Sequence, residues 1–157
     1  MTREEFDTLC RDEVRRTVAE NIGRNPLAVA LDRHIPHAAL VATQLKYLER
    51  ARTKLPSYYT AQCILPPRAF EQASSEECAG HKGPAGGTAL DLTCGLGVDA
   101  LALSRRFGRV VALERDEVLA AVTAYNLRLL GAANVEVVCT TAEEYLAAAT
   151  ERFGWVY

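Results

Sequence analysis

Thr88-Ala89-Leu90-Asp91-Leu92-Thr93-Cys94-Gly95-Leu96-Gly97-Val98-Asp99 is an apolar run that turns through two glycines into a helical pattern. That order predicts a buried parallel strand, a tight loop and a helix start, the place where α/β sheets bind nucleotide-like ligands. Gly95-Leu96-Gly97-Val98-Asp99-Ala100 also satisfies the dinucleotide pattern G-x-G-x-x-A, so the glycines alone do not choose the ligand. Asp91 separates the alternatives. Its carboxylate stands at the strand end, ahead of the loop, where it would repel a pyrophosphate and attract a ligand carrying an ammonium and a sulfonium. One glycine permits positive φ, and the other lets the backbone approach a ligand with no Cβ in the way.

The residues that follow predict a parallel sheet. Asp99 is placed as N-cap or first-turn acid of a helix whose core face is Ala100, Leu101, Leu103, Ser104 and Phe107, stopped by Gly108. Arg109 to Glu114 is a second buried strand ending in an acid, and the Glu114 carboxylate can accept protons from both hydroxyls of a ribose. Asp116 to Leu130 is a helix with Val118, Val122, Tyr125 and Leu129 on one face and Gly131 as stop. Val135 to Cys139 is the third strand, and Thr141 to Glu144 a capping box opening a helix that runs to about Thr150. Phe153 to Tyr157 looks like the start of a fourth strand. In the order 3-2-1-4 the ligand crevice lies between the first and fourth strands. With the fourth barely begun, either Trp155 to Tyr157 pairs with the first strand or a second copy covers the exposed sheet edge as a homodimer.

The N-terminal part is helical. Phe6, Leu9, Cys10, Val14, Thr17 and Val18 recur at helical spacing and predict one amphipathic helix from Glu4 to about Glu20. Asn25-Pro26 starts a short helix through Leu31, and Pro36 opens another with Leu40, Val41, Leu45, Leu48 and Ala51 on one face. Its cations, Lys46, Arg50 and Arg52, with Arg33 and Lys54, form either a solvated helix face or a patch turned toward nucleic acid. Pro56 ends this helix; Ala61 to Leu65 is apolar but too short to assign. Ser74 or Ser75 caps a further helix. The Gly/Pro-rich loop His81 to Gly87 sets the boundary between a helical region, 1–83, and a partial Rossmann-like domain, 84–157, cut off at the fourth strand.

Composition narrows the classes. At 157 residues with 49% hydrophobic content the chain can bury a proper core, and its net charge of −2 gives no whole-chain footprint for nucleic acid. No apolar run is long enough to cross a bilayer, and the charged start Thr2-Arg3-Glu4-Glu5 is no signal peptide, so a cytoplasmic protein with no membrane partner is expected. Five cysteines without a C-x-x-C pair and three histidines without ligand spacing predict reduced thiols and no metal site. Cys94 has no basic neighbour in sequence and reads as a small loop residue. Lys82 precedes its glycines, so no phosphate-binding G-K-[ST] exists there.

Asp91-Leu92-Thr93-Cys94-Gly95-Leu96-Gly97 resembles the first motif of class I S-adenosylmethionine-dependent methyltransferases. The resemblance implies S-adenosylmethionine as cofactor, with Asp91, Thr93, Gly95 and Gly97 around its methionine end. Together with Lys54-Leu55-Pro56-Ser57 and Glu71-Gln72-Ala73-Ser74-Ser75-Glu76, the motif is similar to bacterial RNA methyltransferases that carry a C-terminal THUMP-like, ferredoxin-like domain. That likeness makes Gln72, Ser74 and Ser75 candidate cofactor contacts beside their capping role. It also turns Ala142, with Thr141 and Glu143, toward the adenine, although Thr141 stands where the class usually has an acid. In this family the fourth strand runs into an Asp-Pro-x-Arg motif on the acceptor side, so only the N-terminal and cofactor half is expected here, inactive alone, with RNA as the intact protein's substrate. No general base is visible and the catalytic residues stay unassigned. Two alternatives stand beside this reading: half of an NAD-dependent oxidoreductase, and a non-enzymatic helical interaction module on a degenerate nucleotide fold.

Overall fold

The computed structural model describes residues 1–80 and 85–157. The chain forms two compact units, Met1–Glu71 and Gln72–Tyr157. The boundary expected at 83/84 falls within residues 81–84, outside the described residues.

The first unit is built from α1 (Arg3–Leu9), α2 (Asp12–Glu20), α3 (Pro26–Ala30), α4 (Ala38–Lys54), α5 (Pro56–Thr60) and α6 (Pro67–Gln72). The single helix expected over 4–20 is two. Buried Leu9 and buried Val14 lie five residues apart, which breaks the phase of the apolar stripe, and Arg11 takes an extended conformation between them. Asp12 and Glu13 then suit the positive end of a new helix. Asn25 caps α3 as expected, its side chain accepting from the Leu27 N–H at 2.8 Å. Pro56 both stops α4 and opens α5 from its first position, where a missing N–H costs nothing. Ala61 to Leu65 is no strand. Its Leu65 peptide is instead satisfied by the buried Gln44 amide, which accepts from the Leu65 N–H at 2.9 Å and donates to the Leu65 carbonyl at 3.3 Å.

The second unit runs α7 (Glu76–Gly80), β1 (Thr88–Asp91), α8 (Val98–Ser104), β2 (Arg109–Glu114), α9 (Glu117–Leu129), β3 (Val135–Cys139), α10 (Ala142–Ala148) and β4 (Trp155–Val156). The four strands are parallel in the order β3-β2-β1-β4. The last residues pair with the edge of the first strand, the first of the two outcomes expected there. Gly154 N–H donates to Thr88 O, Tyr157 N–H to Leu90 O and Leu92 N–H to Tyr157 O, at 2.8–2.9 Å.

Alternating residues of β1 and β2 feed two apolar layers. Ala89, Val110 and Ala112 pack with Ala100, Leu103 and Phe107, while Leu90, Val111 and Leu113 meet Ala142, Tyr145 and Phe153 on the other side. The chain steps β1, β2, β3 in one direction and returns to β4 on the far side of β1. The strand order therefore reverses at β1, the position where such sheets take ligands. Two expectations are corrected. α8 ends at Ser104 rather than at Gly108, because the Asn134 amide donates to the Ser104 and Phe107 carbonyls, both at 2.9 Å, and so closes the helix end. Leu129 is not on the core face of α9 but 41% exposed, while Ala120, Thr123 and Leu127 take the buried stripe.

Candidate cofactor site

β1 delivers Asp91 to the C-terminal edge of the sheet with 1% of its surface exposed. Its Oδ1 accepts from the Thr93 N–H at 3.1 Å, a short turn that swings the chain out of the strand. The loop then lies across the end of β2, where the Cys94 N–H donates to the Leu113 carbonyl at 2.8 Å. Thr123 on α9 holds it from the other side, its hydroxyl donating to the Gly95 carbonyl at 2.6 Å.

Both glycines of the motif have left-handed backbone, φ +52° at Gly95 and +83° at Gly97, but their surroundings differ. A Cβ on Gly97 would lie 2.8 Å from Thr123 Cγ2, so this glycine is required by α9. A Cβ on Gly95 would meet no atom within 4 Å. The side of Gly95 that a Cβ would take is open space.

Glu114 ends β2 two residues beyond Ala112, the register partner of Asp91, and its Oε1 accepts from the Asp116 N–H at 2.9 Å. The effect of the two carboxylates shows at Cys94. Burial pushes that thiol well above its ordinary pKa, and the negative fields of Asp91 and then Glu114 push it further the same way. Cys94 is thus a buried residue whose surroundings favour the neutral thiol. A loop with open backbone on one side and two acids beneath it fits a ligand with a cationic tail and a ribose; it does not fit a diphosphate.

The other sequence candidates divide. Ser74 reaches the motif, its hydroxyl donating to Asp99 Oδ2 at 3.1 Å, and Asp99 is a first-turn acid of α8 because Gly97 takes the N-cap position. Ser75 caps α7 by accepting from the Cys78 N–H at 3.2 Å. Gln72 is exposed at the end of α6, and Thr93 is exposed on the loop. Thr141 and Glu144 form the expected capping box, and Ala142 packs on the Leu90 layer. Thr123 escaped the sequence reading. Its one signal is a polar residue in the apolar stripe of α9, midway between Ala120 and Leu127.

The parallel order β3-β2-β1-β4, the glycine turn after β1 and the acids at the tips of β1 and β2 define a class I S-adenosylmethionine-dependent methyltransferase fold, and S-adenosylmethionine is its cofactor. Within that class, the tRNA (uracil-5-)-methyltransferase family matches residues 77–155, and the chain belongs to this family. Among solved structures it is similar to an inferred methyltransferase of Porphyromonas gingivalis W83, with 29% identity and a TM-score of 0.71 over 84% of this chain and 35% of that one. It also overlaps an rRNA methylase of Streptococcus thermophilus, at 20% identity, TM-score 0.44, 59% of this chain and 54% of that one. An inferred methyltransferase of Streptococcus mutans in complex with SAH overlaps at 22% identity, TM-score 0.44, 59% of this chain and 51% of that one. No curated protein matches. The chain spans about a third of the length of the Porphyromonas protein. Among the described residues no helix is long and apolar enough to cross a membrane, and no group of side chains could hold a metal ion.

Proposed function

We propose that this chain is the cofactor-binding part of a cytoplasmic methyltransferase that acts on RNA. The observation that carries the cofactor half is the buried Asp91 carboxylate at the end of β1, tied to the start of the loop that holds Gly95. When bound, S-adenosylmethionine supplies a methyl group activated on a sulfonium. Asp91 would hold the methionine ammonium, and Glu114 would accept from the ribose hydroxyls. Each such charge-assisted bond is worth about 1.5–3 kcal/mol in a partly desolvated crevice. Thr123 fixes the Gly95 carbonyl, so the loop is set before the cofactor arrives. Ser74, through Asp99, ties the segment ahead of α7 to the same loop.

RNA as substrate is supported by the description of the matching family and by the resemblance in Lys54 to Ser57 and Glu71 to Glu76. The acceptor-side motif and the THUMP-like domain belong to the same proposal, with the intact protein as their setting. Calorimetric titration of the 157-residue chain with S-adenosylhomocysteine and with NADH is the test. Binding of the first and not the second is expected; the reverse would return the chain to the nicotinamide class that its G-x-G-x-x-A match also fits.

A further inference from the structure

Lys46, Arg50 and Lys54 recur every four residues along α4 and so form one row on that helix. Each step of four advances about 6 Å along the axis, comparable with the separation of successive phosphates on a single strand. The row is held in place by rings. Lys46 and Arg50 lie over Tyr47, at 5.7 and 5.3 Å from its centroid, while Arg50 and Lys54 lie over Phe70, at 5.2 and 4.9 Å. Lys54 also donates to the Phe70 carbonyl at 2.7 Å. Beside the row, Arg52 lies over Tyr59 at 5.6 Å. Cations with side chains already ordered lose less entropy on binding than free ones.

The local charge differs from that of the whole chain. Residues 37–71 carry Lys46, Arg50, Arg52, Lys54 and Arg68 against Glu49 and Glu71, a balance of +3 where the chain as a whole has −2. Tyr47 and Tyr59 are half-buried, so part of each side chain stays at the surface beside the cations, as single-strand binding sites place their aromatic rings. From the spacing, the rings and this charge we infer that the Lys46-Arg50-Lys54 row of α4, with Tyr47 and Tyr59, binds single-stranded RNA. The inference rests on the RNA reading above and gives it a place on the first unit. One acid opposes it. Glu71 grips Arg50 with both carboxylate oxygens, Nη2 to Oε2 at 2.9 Å, where a phosphate would otherwise bind.

Fluorescence anisotropy of the full chain with a labelled single-stranded twelve-nucleotide RNA tests this. Lys46→Glu and Arg52→Glu should each weaken binding by about fivefold and flatten its salt dependence, as expected when phosphate contacts are lost. Glu71→Gln should tighten binding by freeing Arg50. Arg3→Glu, on α1, should change nothing. Absence of binding by the unmodified chain, equal losses in Lys46→Glu and Arg3→Glu, weaker binding by Glu71→Gln, or tighter binding of a duplex of equal length would each overturn the proposal. Because S-adenosylhomocysteine is titrated without RNA, failure here leaves the cofactor reading standing, and loss of cofactor binding leaves this test intact.

Discussion

Gly95→Ala and Gly97→Ala make the same chemical change two residues apart, and the structure predicts different outcomes. Both place an L-residue in left-handed backbone, at about 1–2 kcal/mol each. Gly95→Ala stops there, since its Cβ would meet nothing within 4 Å. Gly97→Ala adds a contact of 2.8 Å to Thr123 Cγ2. Thr123 has no exposed surface and cannot turn away without giving up its hydrogen bond to the Gly95 carbonyl. Losing that bond costs about 1 kcal/mol, and overpacking at a buried methyl costs about as much again. Gly97→Ala should therefore destabilise by roughly 3–4 kcal/mol and Gly95→Ala by about 1–2, against a total of about 5–15 for a typical domain.

Urea unfolding followed by tryptophan fluorescence measures the difference, because Trp155 is the one tryptophan of the chain and belongs to the Gln72–Tyr157 unit. S-adenosylhomocysteine binding should show the opposite order: folded Gly95→Ala loses affinity at least tenfold because its methyl takes ligand space, while Gly97→Ala binds in proportion to the fraction folded. Equal stability losses in the two variants would refute the packing argument.

Asp91→Asn keeps an oxygen for the Thr93 N–H and removes the charge, so calorimetry should show a loss of about tenfold or more in S-adenosylhomocysteine affinity with the fold retained. Glu114→Gln should lose a similar amount while its urea midpoint stays within error of the parent. In alkylation at pH 8, exposed Cys78 and Cys139 should react within minutes and Cys94 only after denaturant is added, since burial and two carboxylates hold its thiol protonated. The Glu144 carboxyl is held below its ordinary pKa by the Thr141 N–H, the Thr140 hydroxyl and then the Thr141 hydroxyl. A depressed carboxyl stabilises the fold above its unfolded pKa and loses that contribution as pH falls through the folded value. Carboxyl NMR should find this midpoint below the ordinary glutamate value, and Thr141→Val should raise it.

The second unit was legible because each of its elements is punctuated. Gly95 and Gly97 follow β1, Gly131 follows α9, Asp116 and Thr141 start helices, and uninterrupted apolar runs mark buried parallel strands. The first unit was legible in its prolines and caps but not at Cys10-Arg11, where an apolar cysteine carries the pattern across a real break. The Leu129 assignment failed because a fully periodic helix leaves its rotation open, and contact with the glycine loop then chose Thr123 and Leu127 for burial. Asp91 and Glu114 could be read from strand ends. Thr123 could not, because a threonine within a helix gives no sign that its hydroxyl holds a loop of distant sequence.

A crystal structure of the chain with S-adenosylhomocysteine tests the central claim most directly. The account predicts the amino-acid tail over Gly95 with its ammonium on the Asp91 carboxylate and the ribose hydroxyls on Glu114. A ligand bound elsewhere, or one whose ammonium turns away from Asp91, would contradict it.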